Sequence, residues 1–257
     1  GTFDDALMTS IALIGRITGN EKRADEVVEY IKGCQEDLDQ RTADIAADEK
    51  PMVYAGAIGM KGTHGIESTQ ASFPPLLAVN ARNVVDEAEL KGWSIMIDKE
   101  QLLQWDPDII FIGEMRDQET VRTALTAAQT GHFVLSTLHT IDASETINRI
   151  IDFFPLHQQK QIRIMLAGTL KAIISQRLLV RADGQGRVPA VEVMICTNRI
   201  RDFILDPEQA HLIHDAISEG DFYGMQTFDQ ALLKLYEDNM ITLSDAAAVA
   251  ANPHDFK

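Results

Sequence analysis

Two runs decide the fold: Trp105-Asp-Pro-Asp-Ile-Ile-Phe-Ile-Gly-Glu-Met-Arg-Asp117 and Thr130-Gly-His-Phe-Val-Leu-Ser-Thr-Leu-His-Thr140. Ile109 to Ile112 is an unbroken β-branched and aromatic run behind Pro107, the pattern of a strand buried on both faces of a parallel sheet. Asp117 stands where a helix cap is needed, and Val121, Ala124, Leu125 and Ala128 give that helix one apolar side. A second buried strand, 133–138, then leads to His139. Chemistry in an open α/β sheet gathers at the carboxyl ends of its strands, so Glu114 and His139 are expected on one rim.

The Gly113-Glu-Met-Arg-Asp117 string, the Thr130-Gly-His132 turn and the Ser136-Thr-Leu-His-Thr140 box resemble the Walker B segment and histidine box of secretion ATPases. Ile173-Ile-Ser-Gln-Arg-Leu-Leu179 and Gly224-Met-Gln-Thr-Phe-Asp229 narrow the resemblance to the retraction ATPases of type IV pili, from about Asp106 to the C-terminus. The resemblance implies a cytoplasmic, hexameric Mg-ATP motor working with the pilus machinery. In it Glu114 holds the Mg²⁺-bound water network and His139 senses the γ-phosphate, while Arg116, Asp117 and Thr140 lie beside the nucleotide. These roles suit phosphoryl transfer, which is catalysed mostly by positioning and charge neutralisation. Asn198-Arg-Ile-Arg-Asp-Phe-Ile204 lies where such motors carry an Ala-Ile-Arg-Asn-Leu-Ile type signature; Ile200, Arg201 and Ile204 match it, and Arg199, Asp202 and Phe203 depart.

A motor of this kind needs a Gly-x-x-x-x-Gly-Lys-Ser/Thr loop, whose backbone amides and lysine hold the phosphates. No such string occurs in the sequence. The nearest stretch, Gly56-Ala-Ile-Gly-Met-Lys-Gly-Thr-His-Gly65, follows an expected strand at 52–55, but Lys61 precedes glycine. Weak or absent ATP binding is therefore expected, and loss of the ATPase activity with it.

Ahead of residue 112 a different pattern holds. Ile14-Gly-Arg-Ile-Thr-Gly-Asn-Glu-Lys-Arg-Ala24, His64-Gly-Ile-Glu-Ser-Thr-Gln70, Val79-Asn-Ala-Arg-Asn-Val-Val-Asp86 and the run from Leu102 to Ile112 resemble the solute-binding proteins of iron-siderophore and cobalamin ABC transporters. That resemblance implies an iron complex as ligand, with His64, Glu67 and Tyr54 as polar groups on the cleft side. Both families carry an Asp-Pro-Asp-Ile-Ile-Phe-Ile type strand, and one copy serves both here. The expected organisation is 1–112 from a binding protein and 113–257 from an ATPase, joined as a chimera.

Composition bounds the remaining possibilities. The net charge is −16, with the acidic excess shared by both halves, which argues against nucleic acid or an anionic membrane surface as partner. Cys34 and Cys196 lie far apart without metal spacing, so no metal site is expected. No apolar run approaches a membrane span, and neither a signal peptide nor an initiating methionine is present, as expected if the chain begins inside a longer parent.

The expected fold is α/β, a three-layer sandwich with a mostly parallel sheet, a helical N-terminal segment and a helical C-terminal subdomain. Strands are predicted near 52–55, 93–97, 109–112, 133–138 and 188–195. Helices are predicted over 3–48 with a break at Gly19-Asn20, over 99–104 behind Asp98, and over 156–179. Thr227 and Gln230 form a capping box, Ser244 is placed to cap the last helix, and His211 and His214 read as surface residues.

Overall fold

The computed structural model describes residues 4–58 and 65–256, and the chain divides into two compact units. One comprises Gly1–Met115 with Thr130–Thr137, the other Arg116–Gln129 with Leu138–Lys257. Among the described residues no helix is long and apolar enough to cross a membrane.

The first unit opens with helices α1 (Asp5–Thr18) and α2 (Glu21–Thr42). Asp4 caps α1 by accepting the Leu7 N–H at 3.1 Å. The helices cross where a Cβ on Gly15 would lie 2.5 Å from that of Ala24, so only glycine permits this approach. The remaining elements, in chain order, are β1 (Met52–Gly56), β2 (Ser68–Thr69), α3 (Pro74–Ala78), β3 (Arg82–Asn83), α4 (Val84–Glu87), β4 (Ile95–Met96), α5 (Lys99–Trp105) and β5 (Ile109–Ile112). After α6 (Gln118–Gln129), which belongs to the second unit, comes β6 (Phe133–Ser136).

The sheet runs β4-β2-β1-β5-β6, with β3 also paired to β1. The β1–β3, β1–β5 and β5–β6 pairs are parallel, and β2 pairs antiparallel with both β1 and β4. The α/β class with a mostly parallel sheet is thus the observed one. Two expected strands are shorter than predicted: 93–97 contracts to Ile95–Met96 and 133–138 ends at Ser136. On one face of the sheet Val53 and Ala55 pack with Leu76, flanked by Phe73, Ala81, Ile109 and Phe111.

The second unit contains α6, α7 (Ala143–Asp152), α8 (Leu156–Thr169), β7 (Ala172–Val180), β8 (Arg187–Ile195), α9 (Asn198–Leu205), α10 (Ile213–Ser218), α11 (Phe228–Glu237) and α12 (Leu243–Val249). The helix predicted over 156–179 stops at Thr169, and the rest becomes β7. Its isoleucines and leucines fit both a helical and an alternating pattern. A nine-pair antiparallel ladder with β8, from Ala172↔Ile195 to Val180↔Arg187, decides for the strand. β8 is thereby a partner of β7 in a two-stranded ribbon and not, among the described residues, a strand of the main sheet. The core here joins Leu179, Val188 and Ala190 to Phe228, Leu232 and Ile241. Thr227 and Gln230 form the expected capping box. Thr242, not Ser244, caps α12: its side chain accepts the Asp245 N–H, and Ser244 lies inside the helix.

Candidate functional site

In the first unit, β5 delivers Gly113 and Glu114 at its carboxyl end, and the backbone there is fixed from two sides. The Gly113 N–H donates to the Gly56 carbonyl at 3.0 Å, and Met115 N–H donates to the Thr137 carbonyl at 3.1 Å. The Thr137 hydroxyl in turn donates to the Gly113 carbonyl at 2.6 Å. A Cβ on Gly113 would come within 2.7 Å of the Ala57 carbonyl oxygen, so a larger residue would push β1 and β5 apart at this rim. Glu114 is half-buried. Register pairs Gly56 with Ile112, so the segment after β1 leaves the sheet beside the Glu114 backbone. Most of that segment, residues 59–64, lies outside the described residues, and with it Lys61 and His64.

The second unit holds Arg116, Asp117, His139 and Thr140. Asp117 engages both carboxylate oxygens at the start of α6, accepting the Thr120 N–H at 2.8 Å and the Thr120 hydroxyl at 3.2 Å. Arg116 and His139 are exposed. The Thr140 hydroxyl lies 2.6 Å from that of Thr146. Beyond Thr140 the chain is clamped in turn. The Ile141 N–H donates to Glu145 at 2.9 Å, and the Ile141 carbonyl accepts the Arg177 guanidinium at 3.3 Å. The Ala143 N–H donates to Glu192 at 2.7 Å. The segment after His139 is therefore held by β7 and β8 as well as by α7.

Glu192 is a buried carboxylate. Burial pushes its pKa above the ordinary value, opposed first by the Ala143 N–H and then by the charges of His214 and Arg177, with Asp142 adding to the rise. No motif in the sequence gives Glu192 or Arg177 a role, although Arg177 lies within the Ile173 to Leu179 string. A signal was present for the first: Val188, Ala190, Glu192 and Met194 share the inward phase of one strand, and a lone acid on an apolar phase requires a partner.

The groups assigned to a solute cleft fare differently. Tyr54 is fully buried, and its hydroxyl donates to the Ile66 carbonyl. Burial raises its pKa, and the side chain is a core group rather than a cleft-side one, because its only polar atom is used inside the unit. Glu67 is half-buried, and its carbonyl accepts the Ile97 N–H at 3.0 Å. Among the described residues no group of three or more His, Cys, Asp or Glu could hold a metal ion. His211 and His214 are exposed. Arg199 pairs with Glu219 across the turn from α9 to the end of α10.

A parallel sheet whose acidic strand end is followed by a capped helix, a second strand and a histidine box defines a mixed α/β chain of ATPase type in that stretch. The sequence model of the Type II/IV secretion system proteins matches residues 95–231, and that of the periplasmic binding proteins matches residues 1–135. The chain belongs to both families, to the second over residues 1–135 and to the first over residues 95–231.

Among its relatives, the type IV pilus retraction ATPase PilT of Pseudomonas aeruginosa is 46% identical over 154 residues, 60% of this chain and 44% of the relative. A twitching motility protein of Neisseria gonorrhoeae is 43% identical over 150 residues, 58% of this chain and 40% of the relative. The crystal structure of the pilus retraction motor PilT with bound ADP superimposes with a TM-score of 0.57 at 32% identity, covering 80% of this chain and 63% of that one. The chain thus spans less than half the length of these curated relatives, and its second half has a pilus or secretion ATPase origin.

Proposed function

We propose that this chain joins a solute-binding lobe, residues 1–112, to the Walker B and C-terminal part of a pilus retraction ATPase, residues 113–257, and that it no longer turns over ATP. The observation that carries this reading is the Walker B-like string Gly113 to Asp117 and the histidine box standing in strand-helix-strand context in a sequence without a Gly-x-x-x-x-Gly-Lys-Ser/Thr loop. If Mg-ATP were held, Glu114 would orient the Mg²⁺ and its water, and His139, with Thr140 behind it, would meet the γ-phosphate. The bound ion would supply charge neutralisation for phosphoryl transfer. The clamp on Ile141 and Ala143 suits that role, since it fixes the backbone after His139. What is missing is the cradle: each charge-assisted phosphate contact contributes about 1.5–3 kcal/mol, and a phosphate loop makes several.

Calorimetric titration with Mg-ATP is expected to give no heat of binding. Micromolar affinity, with turnover that disappears in Glu114→Gln, would overturn the reading and point to the segment from Gly56 to Gly65 as a replacement cradle. The ring assembly of the retraction motors is part of the same reading, and sedimentation in the presence of nucleotide tests it. The membership of residues 1–135 in the periplasmic binding proteins favours one second reading, capture of an iron complex. A ferric siderophore serves as the parallel injection: saturable heat from it alone would place function in the first half.

A further inference from the structure

A cavity of about 480 Å³ opens in the second unit, where the end of β8 and the start of α9 face the turn that follows α10. Its floor is Cys196, Ala216 and Met225, each less than a tenth exposed. The Cys196 thiol stays neutral there, because burial raises its pKa against the opposing hydrogen bond of Arg201. Met225 lies across the floor only because residue 220 is glycine: a Cβ at Gly220 would stand 2.1 Å from the Met225 Cε. One wall is Tyr223, 59% exposed, whose ring meets that of Phe222 edge-on with centroids 5.2 Å apart.

The polar part of the lining carries one charge of each sign. Arg199 and Glu219 pair through Nη1 of the guanidinium and Oε2 of the carboxylate, and both side chains are more than half exposed. The pair leaves the other guanidinium N–H groups and Oε1 for a ligand. Asn198 lines the cavity too; its Oδ1 accepts Arg201 at 3.4 Å, and its amide N–H groups are donors. Both signs of charge, a floor with two sulfur side chains and an aromatic wall match a zwitterionic head on an aromatic body. A ligand without net charge also escapes the repulsion that a net charge of −16 exerts on a free anion. We propose that this cavity binds a free aromatic α-amino acid, its carboxylate at Arg199 and Asn198, its ammonium at Glu219 and its ring over Cys196 and Met225. The ligand bridges the Arg199–Glu219 pair and does not break it, since each partner keeps unused polar atoms. A peptide terminus brings one of the two charges and leaves the other partner unanswered.

The test is calorimetric titration of the full chain with L-phenylalanine, expected to show one site of about 0.1–1 mM because exposed charges contribute little each. L-Alanine, which lacks the ring, is expected to bind more than about tenfold more weakly. Arg199→Gln is expected to weaken phenylalanine about fivefold and to leave phenylalaninamide, which has no carboxylate, unweakened. Glu219→Gln is expected to weaken phenylalanine and phenylalaninamide alike, each about fivefold, and to leave N-acetylphenylalanine unweakened. Tyr223→Ala removes the wall and Asn198→Trp fills the cavity, both from exposed positions. Each is expected to weaken phenylalanine at least about tenfold with an unaltered circular dichroism spectrum. No heat from phenylalanine up to about 10 mM would overturn the proposal. So would alanine or N-acetylphenylalanine binding as tightly as phenylalanine, or an Arg199→Gln loss as large for the amide as for the free acid. Undiminished binding in whichever of Tyr223→Ala and Asn198→Trp folds would overturn it as well.

Discussion

Glu192 is the residue on which the segment after His139 most depends. It is buried, and its carboxylate accepts the Ala143 N–H at the first turn of α7. Because burial raises its folded pKa above the ordinary 4.5, the folded state holds the Glu192 proton more tightly than the unfolded chain. Its contribution to stability is fully present below 4.5 and is lost as pH rises toward the folded value. Glu192→Gln keeps an acceptor for Ala143 and removes that loss. Urea unfolding should therefore show the variant gaining on the parent between about pH 4 and about pH 7. Glu192→Ala leaves the Ala143 N–H buried and unpaired and is expected to cost about 1–3 kcal/mol at either pH. Equal slopes for parent and Glu192→Gln would show that its surroundings do not raise the Glu192 pKa. Caps such as Asp98 for α5, Asp117 for α6 and the Thr227–Gln230 box were legible in the sequence because each is a contact three residues apart. The Glu192–Ala143 contact spans 49 residues, and no local pattern encodes it.

At the scale of elements, β6 stands at the edge of its sheet, paired with β5 alone among the described residues. Phe133 donates its N–H to Asp108, so by alternation Val134 and Ser136 turn their backbone groups to the open side. Phe133 and Leu135 are 49% and 44% exposed. An apolar, unpaired edge is a template for strand addition between copies. Phe133→Lys is expected to raise the concentration at which the protein stays monodisperse in light scattering, and to move the thermal midpoint by no more than about 2 °C. Greater aggregation in the variant would exclude this edge as the cause. Elements also mark where periodicity reading stops. The segment 172–180 carries apolar residues that suit a helix and a strand equally, and what settles it is the ladder with 187–195, a pairing that depends on the chain turning back at Asp183 to Gly186. Strand 109–112 was legible because its run of four apolar residues behind proline has no helical competitor.

At the scale of the whole molecule, two units each have their own buried cluster, while the chain passes between them at residues 115, 129 and 137. Both tryptophans, Trp93 and Trp105, belong to the first unit. Tryptophan fluorescence therefore follows that unit alone, and far-ultraviolet circular dichroism follows both. The two unfolding transitions are expected to separate in urea, since two cores of different size and composition have no reason to share one midpoint. Superimposable curves would show that the units unfold as one. The α/β class, the order of strand, helix and strand from Ile109 to Ser136, and the likeness to two families were all legible in the residues, because short-range periodicity and contiguous motifs carry that information. The absence of a Gly-x-x-x-x-Gly-Lys-Ser/Thr string from this sequence is likewise a matter of local residue order. That Tyr54 is a core residue, that 172–180 is a strand, and that Glu192 and Arg177 hold the segment after His139 emerges from long-range packing and pairing. Each of these rests on groups far apart in the chain, whose burial and pairing do not exist until the sheet and the ribbon have formed.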